Sequence, residues 1–272
     1  MENRKLRIMV IGAHPDDCEY CFGGTAAKYH SLGHSVCFVS ATNGNGGHQT
    51  MSRDKLAAVR ADEAKQVSAL SGVTYTILDH NDCDLTADIK TRDELIGIIR
   101  KFNPDLIFTH RTNDYHTDHR HTGLLVQDAS YLLCVPLVCP DVPCLRHMPV
   151  ILSFYDEFKK PLPIQIDVVV DIDDTITQKV RMLDCHKSQF YDWLPWVDHE
   201  TDQLPAAREE RFCWLEQKIQ DKDAAVAKAC REQLRVKYGA DRGEVIRFAE
   251  AFEISEYGKM LTDHEIPIYF PF

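Results

Sequence analysis

Leu6-Arg-Ile-Met-Val-Ile-Gly-Ala-His-Pro-Asp-Asp17 is an apolar run that ends, without a spacer, in an imidazole and two carboxylates. The run is long enough for a buried strand and too short for a secretory core. Outward from it, Gly23 to Leu32 suits a helix and Val36 to Ala41 is a second apolar run closing on the glycine-rich Thr42 to Gly47, which together make a βαβ unit. The alternation continues with a helix from about Asp54 to Leu70 and a strand at Tyr75 to Leu78. The capping box Thr91-Arg-Asp-Glu94 then opens a helix that Pro104 stops, ahead of a strand at Asp105 to Thr109 and a helix at Gly123 to Leu133. Strands alternating with helices predict a mostly parallel sheet covered on both faces.

The second half has a different texture. Val150 to Phe154 and Val168 to Asp171 read as strands, and Thr175 to Cys185 as a helix. A long helix is expected over about 206–237, ended by Gly239, with Phe212, Leu215, Ile219, Val226 and Cys230 on one stripe. Gln189 to Pro205 reads as a loop rich in aromatics and acids. No Pro/Ser-rich linker divides the halves, so residues 1–272 are expected to form a single domain, with a core over about 5–135 and a C-terminal elaboration over about 150–272.

Composition narrows the function. The 272 residues are 44% hydrophobic, enough to fill a substantial core. Asp and Glu outnumber Lys and Arg by 42 to 31, giving a formal charge of −11 without any basic cluster, so a nucleic-acid partner is not expected. No window approaches the ~20 apolar residues that span a bilayer, and a cytoplasmic protein without a membrane partner is expected. Ten irregularly spaced cysteines read as free thiols. Cys18 and Cys21, although a CxxC pair, read as buried helix residues rather than a redox couple, and Cys134, Cys139 and Cys144 as ordinary thiols. Asn43 to Gly47 lacks the GK[ST] ending of a phosphate loop and reads as a wall of a substrate cleft. The apolar tail Ile266 to Phe272 needs cover from its own domain or a neighbouring subunit, and a homo-oligomer is expected.

In an open parallel sheet, ligands bind outside the carboxyl ends of strands, and the polar chemistry of this chain gathers there. The first strand runs into His14, Asp16 and Asp17; the fourth runs into His110, followed by Asp114, His116, Asp118, His119 and His121. Imidazole and carboxylate at this density suit a catalytic zinc that keeps one position open for water. Adjacent Asp16 and Asp17 point different ways, so one is free to ligate while the other takes a proton. His116 and His119, three apart, share a helical face, but spacing does not say which of them ligates. Any one of these residues read alone is a cap or a solvated side chain; it is their conjunction that points to a site.

Ala13-His-Pro-Asp-Asp-Cys-Glu19 followed by Gly23-Gly-Thr25 resembles the AHPDDxE…GGT signature of the PIG-L/LmbE-like family of metal-dependent N-deacetylases. The agreement extends through Thr42-Asn-Gly44, Arg60-x-x-Glu63, Pro104-Asp105 and His116-Thr-Asp-His119, where Thr117 replaces a proline, to His186-x-Ser188-Gln189 and Ala249-Glu-x-Phe252. The resemblance implies an α/β, Rossmann-like three-layer sandwich. It implies zinc, or ferrous iron, on His14, Asp17 and His119, with Asp16 as general base and His116, held by Asp118, facing the oxyanion. Arg60 is implied as a substrate contact, and Asn43 and Trp193 are candidates for the same role. Phe190, Tyr191, Trp193 and Trp196 offer a stacking platform for a sugar ring. The activity implied is release of acetate from a small N-acetylated amino sugar or glycoconjugate. An amidase of a sugar–thiol conjugate, a mononuclear non-haem iron oxygenase and a non-catalytic metal-binding sugar module are the alternatives.

Overall fold

The apolar run that opens the chain becomes the central strand of the sheet. In the computed structural model, which describes residues 4–272, β1 (Arg7–Gly12) pairs in parallel with β2 (Ser35–Ser40) on one side and β4 (Leu106–Thr109) on the other. β3 (Thr74–Ile77) extends the sheet beyond β2, and β5 (Val150–Phe154) extends it beyond β4, both in parallel. β7 (Ala249–Ile254) then inserts antiparallel between β5 and β6 (Val168–Asp171), giving the order β3-β2-β1-β4-β5-β7-β6. The order reverses at β1 and β4, which is where a doubly wound sheet opens its ligand crevice.

Helices cover both faces, as expected of the α/β sandwich. On one face α1 (Asp17–Ser31), α2 (Arg53–Ser71), α5 (Ile176–Leu183) and α7 (Arg208–Ala229) pack over Ile8, Val10, Phe38 and Phe108. On the other face α3 (Ile89–Phe102) and α4 (Thr117–Ser130) cover Met9, Ile11 and Ile107. α8 (Arg231–Tyr238) and α9 (Ala240–Val245) continue that second layer over Val169 and Ala251. The tail is covered by its own domain: Phe270 is buried against Tyr29 and Phe108, and the Tyr29 hydroxyl donates to Tyr269 O. It therefore supplies no argument for a second subunit.

Several boundaries differ from the sequence expectation. α1 begins at Asp17 and α4 at Thr117, both ahead of the glycines taken as their starts, because acids in a first helical turn meet the positive end of the helix dipole. α3 is capped by Asp88, whose carboxylate accepts from Thr91 N at 2.9 Å, and not by Thr91. The long C-terminal helix breaks at Cys230, where burial passes from the core under α1 to the core under α8. The expected aromatic loop is largely helical: a π-type turn at Ser188–Trp193 leads into α6 (Leu194–Val197), with Pro195 in the first turn where its missing N–H costs nothing.

The segment after α4 is organised by one side chain. Arg100, 4% exposed, donates to the carbonyls of Leu132, Leu133, Val135, Val138, Cys139 and Val142 at 2.6 to 3.1 Å. Replacing it by methionine removes every one of these donors at once. Arg100→Met is expected to lower stability by about 3 kcal/mol, read as a drop in the urea midpoint; an unchanged midpoint would show that water replaces the guanidinium at no cost.

Candidate metal centre and cleft

The loops leaving β1 and β4 meet. His14 Nδ1 lies 3.5 Å from Asp17 Oδ2, and His119 Nε2 lies 3.6 Å from Asp17 Oδ1. The rings of His14 and His119 are 5.2 Å apart, and His116 sits 4.6 Å from His14. His14, His116 and His119 bring their donor atoms within 4.8 Å of one another, as do Asp17, His110 and His119. The expected ligands thus enter these groupings in pairs, with Asp17 bridging the two imidazoles.

Asp17 is anchored by the backbone it follows, since its Oδ2 accepts from Ala13 N and His14 N at 2.8 Å. Burial alone would push its carboxyl up, but the charges of His119 and His110 prevail and hold it well below the usual carboxylate range. Asp16 differs sharply from its neighbour. It is buried, its Oδ1 has no hydrogen-bond partner, and burial together with the charge of Asp17 pushes its carboxyl up to about 7. Its backbone sits at φ 139°, a region that is essentially reserved for glycine. The chain therefore bears strain at the one carboxylate that the cluster leaves without a partner.

Asp118 departs from its expected role. Its carboxylate does not hold His116; Oδ2 instead lies 3.3 Å from His14 Nε2 and accepts from Cys83 N at 2.7 Å. What reaches His116 is the Asp118 backbone N–H, which donates to Nδ1 at 3.2 Å and leaves Nε2 as its free nitrogen. His14 thus turns Nε2 towards Asp118 and Asp82 and Nδ1 towards Asp17, the arrangement in which a carboxylate behind an imidazole fixes its tautomer and aim. Burial would lower the pKa of His14, yet the bonds to Asp118, Asp17 and Asp82 raise it well above its ordinary value. Acids gathered in a buried site ask for a cation, and the unpartnered Asp16 Oδ1 and Asp118 Oδ1 belong to that demand. The donor set fits a divalent ion of the zinc or ferrous type.

Other residues of the site carried no assigned role in the sequence reading. His110 Nε2 lies 3.1 Å from Asp17 Oδ2, and its ring stacks on His119 at 4.0 Å. Asp114 Oδ1 meets His119 Nδ1 at 3.1 Å and so aims its Nε2. Asp82, in the loop beyond β3, stands 3.3 Å from His14 Nε2. An acid shortly after a third strand was the signal for it, by the same rule that flagged the other two loops.

A cleft of about 470 Å³ opens over this cluster, bounded by Arg60, Trp193 and Phe190 as well as Asp16 and His116. Trp193 stacks on Trp196 at 5.4 Å and lies against Gly47, where an added Cβ would sit 3.0 Å from the indole nitrogen. Arg60 is 1% exposed; its guanidinium donates to Pro15 O at 3.4 Å and Gly47 O at 3.3 Å and meets Gln189 Oε1, so it braces the cleft wall. Asn43 is not on that wall: its amide donates to Asp79 Oδ1 at 3.1 Å, and Gly46 and Gly47 line the cleft instead. The remaining motifs lock the two halves together. His186 Nε2 lies 2.7 Å from Glu19 Oε1, Ser188 donates to Glu63 through both N and Oγ at 2.7 Å, and Glu250 accepts from Gly24 N and Thr25 N. Cys21 reaches the cleft, but burial pushes its thiol up to about 12, which leaves no redox-active thiolate.

Residues 9–130 match the family described as PIG-L, GlcNAc-PI de-N-acetylase. Over those residues the chain is similar to the PIG-L/LmbE-like family. Among its relatives is the diacetylchitobiose deacetylase of Thermococcus kodakarensis, 29% identical over 71% of this chain and 74% of that one. Another is the 4-oxalmesaconate hydratase of Pseudomonas putida, 23% identical over 71% of this chain and 78% of that one. The structure of the N,N'-diacetylchitobiose deacetylase of Pyrococcus horikoshii superposes with a TM-score of 0.71, at 24% identity over 92% of this chain and 84% of that one, and shares the fold. Among the described residues, no helix of this chain is long and apolar enough to cross a membrane.

Proposed function

We propose that this PIG-L/LmbE-like chain is a metal-dependent N-deacetylase that releases acetate from a small N-acetylated amino sugar or glycoconjugate. The observation carrying the reading is a buried, unpartnered carboxylate, Asp16, beside a His/Asp cluster at the switch point of the sheet. The names of the relatives support the acetyl and sugar parts.

His14, Asp17 and His119 would hold the divalent ion, zinc by preference. When bound, such an ion supplies a Lewis acid for the amide carbonyl and acidifies a water molecule. Asp16 takes the proton of the attacking water, and its raised pKa suits it to hand that proton on at neutral pH. His116, with Nδ1 occupied by the Asp118 N–H, presents Nε2 to the oxygen that gains charge as the carbonyl carbon becomes tetrahedral. The leaving amine takes its proton from Asp16 or His116, and the products are acetate and a free amine. Trp193 and Phe190 offer an apolar face to the sugar ring.

The test joins metal analysis to acetate release over N-acetylglucosamine, its oligomers, glycosyl-inositols and glycosyl-malates. The expected result is about one tightly held ion per chain at limiting metal, acetate from one substrate class, and loss of turnover on chelation that added zinc restores. Acetate release that survives complete metal removal, or no release from any class alongside hydratase activity, overturns the proposal.

A further inference from the structure

We propose that Asp156 and Glu253 are specificity determinants of the cleft: by holding Arg111 they withhold it from substrate, so the glycoconjugate this chain takes carries no anionic group. Three neighbouring strands build the device. Arg111 follows β4 by two residues, Asp156 follows β5 by two, and Glu253 stands opposite Ser153 where β7 pairs with β5. Arg111 and Asp156 both line the cleft. Each guanidinium nitrogen already has an acceptor: Nη1 donates to the two Asp156 oxygens at 3.1 and 3.2 Å, Nη2 donates to Leu162 O at 2.9 Å, and Nε meets Glu253 Oε2 at 3.3 Å. Two acids on one cation leave the group negative. The side chains of Arg111 and Asp156 are only 9% and 13% exposed, so solvent screens the group poorly.

No other cation of the wall is free to take the place of Arg111. Among the described residues lining the cleft are six aspartates, two arginines and no lysine, so acids are in excess even with a divalent ion bound. Arg60, the other arginine, is buried, spends Nη1 and Nη2 on the wall, and its charge bears on Asp16. A substrate carboxylate or phosphate would enter among like charges and find no cation of its own. An uncharged, hydroxyl-bearing ring incurs neither cost. The two acids can be neutralised without unfastening the backbone around them. Asp156 Oδ1 also accepts from Phe158 N at 2.8 Å and Glu253 Oε1 from Gln165 N at 3.1 Å, bonds that asparagine and glutamine keep. Discrimination in turnover rests on the deacetylase reading; discrimination in binding does not.

The test compares N-acetylglucosaminyl malate with its uncharged diamide on the metal-loaded full-length chain, by acetate release and by calorimetric binding. Wild type is expected to favour the diamide by about tenfold in kcat/KM and in affinity, the worth of one charged contact. Added salt is expected to narrow that preference as the repulsion is screened. Asp156→Asn/Glu253→Gln is expected to erase or reverse the preference, chiefly through the KM of the malate, and adding Arg111→Met to the pair is expected to cancel the gain. Wild type that favours the malate, or a malate affinity that falls as salt rises, overturns the inference without recourse to any variant. A folded double variant with the wild-type ratio overturns it as well. If neither compound releases acetate, the binding ratio still decides the inference, and the deacetylase reading fails separately.

Discussion

Asp16→Asn is expected to keep the bound metal and the fold while reducing turnover by about 10²- to 10⁴-fold, the usual worth of a positioned general base. The amide fills the same space but takes no proton from water, and Asp17, the proposed ligand beside it, is untouched. Metal content and acetate release measured on the same preparation check it, and turnover within a few-fold of wild type would remove Asp16 from the chemistry. Asp16→Gly adds a thermodynamic reading. At φ 139° an aspartate is strained by roughly 1 to 3 kcal/mol, while glycine costs about 0.5 to 1 kcal/mol in chain entropy. The inactive glycine variant is therefore expected to be more stable than wild type by on the order of 1 kcal/mol, visible as a higher unfolding midpoint. A lower midpoint would show that the left-handed backbone there is not strained.

The second large effect lies away from the cleft. Lys179 is wholly buried and forms ion pairs at 2.8 Å with Asp223 and Glu250, while Lys222 meets the other oxygen of Asp223 at 2.9 Å. Asp223→Ala leaves Lys179 with one acid and an unfilled volume, and is expected to cost about 3 to 5 kcal/mol. Lys179→Met/Asp223→Leu, which withdraws both charges, is expected to cost less than the sum of the single changes. Strict additivity would show the pair to be uncoupled. The pH dependence has a definite sign. Burial would raise the pKa of Asp223, but Lys179 and Lys222 hold it below its ordinary 3.8. The native state thus binds this proton less readily than the unfolded chain, so the contribution is present above the ordinary carboxylate range and is lost as acid takes the pH below it. Asp223→Ala should therefore flatten the acid limb of the stability profile, and an unchanged limb would contradict this.

Most of the parallel half could be read from the sequence, because β1, β2, β4 and β5 are short, largely apolar runs, and burial on both faces demands that pattern. At the antiparallel end β6 could be read in the same way, but β7 could not. β7 reads Ala-Glu-Ala-Phe-Glu-Ile, with small residues and acids that strands disfavour, and Glu250 is tolerated at its centre only because Lys179 and two amides of α1 meet it. The glycines of α1 misled for a related reason. They are not a helix start but a close approach, since a Cβ on Gly24 would sit 2.7 Å from Ile172 and one on Gly23 would sit 2.9 Å from Lys179. In the site, His14, Asp16, Asp17, His116 and His119 fall together because two strand ends place them. The resemblance placed Asp118 behind His116, whereas its carboxylate faces His14, a pairing across loops that sequence does not display. Asn43 is close to the cleft in sequence but spends its amide on Asp79.

The bonds from Glu19 to His186, from Glu63 to Ser188 and from Glu250 to the amides of Gly24 and Thr25 bear on how this molecule tolerates excision. Residues 9–130 carry the match to the family, yet a fragment trimmed to that segment would leave Glu63 without its Ser188 donors and Glu19 with the Tyr75 hydroxyl but without His186, in what had been the interior. The motif-bearing half is thus no autonomous module, and any swap of the C-terminal part between family members must carry over its histidine, serine and glutamate as a set.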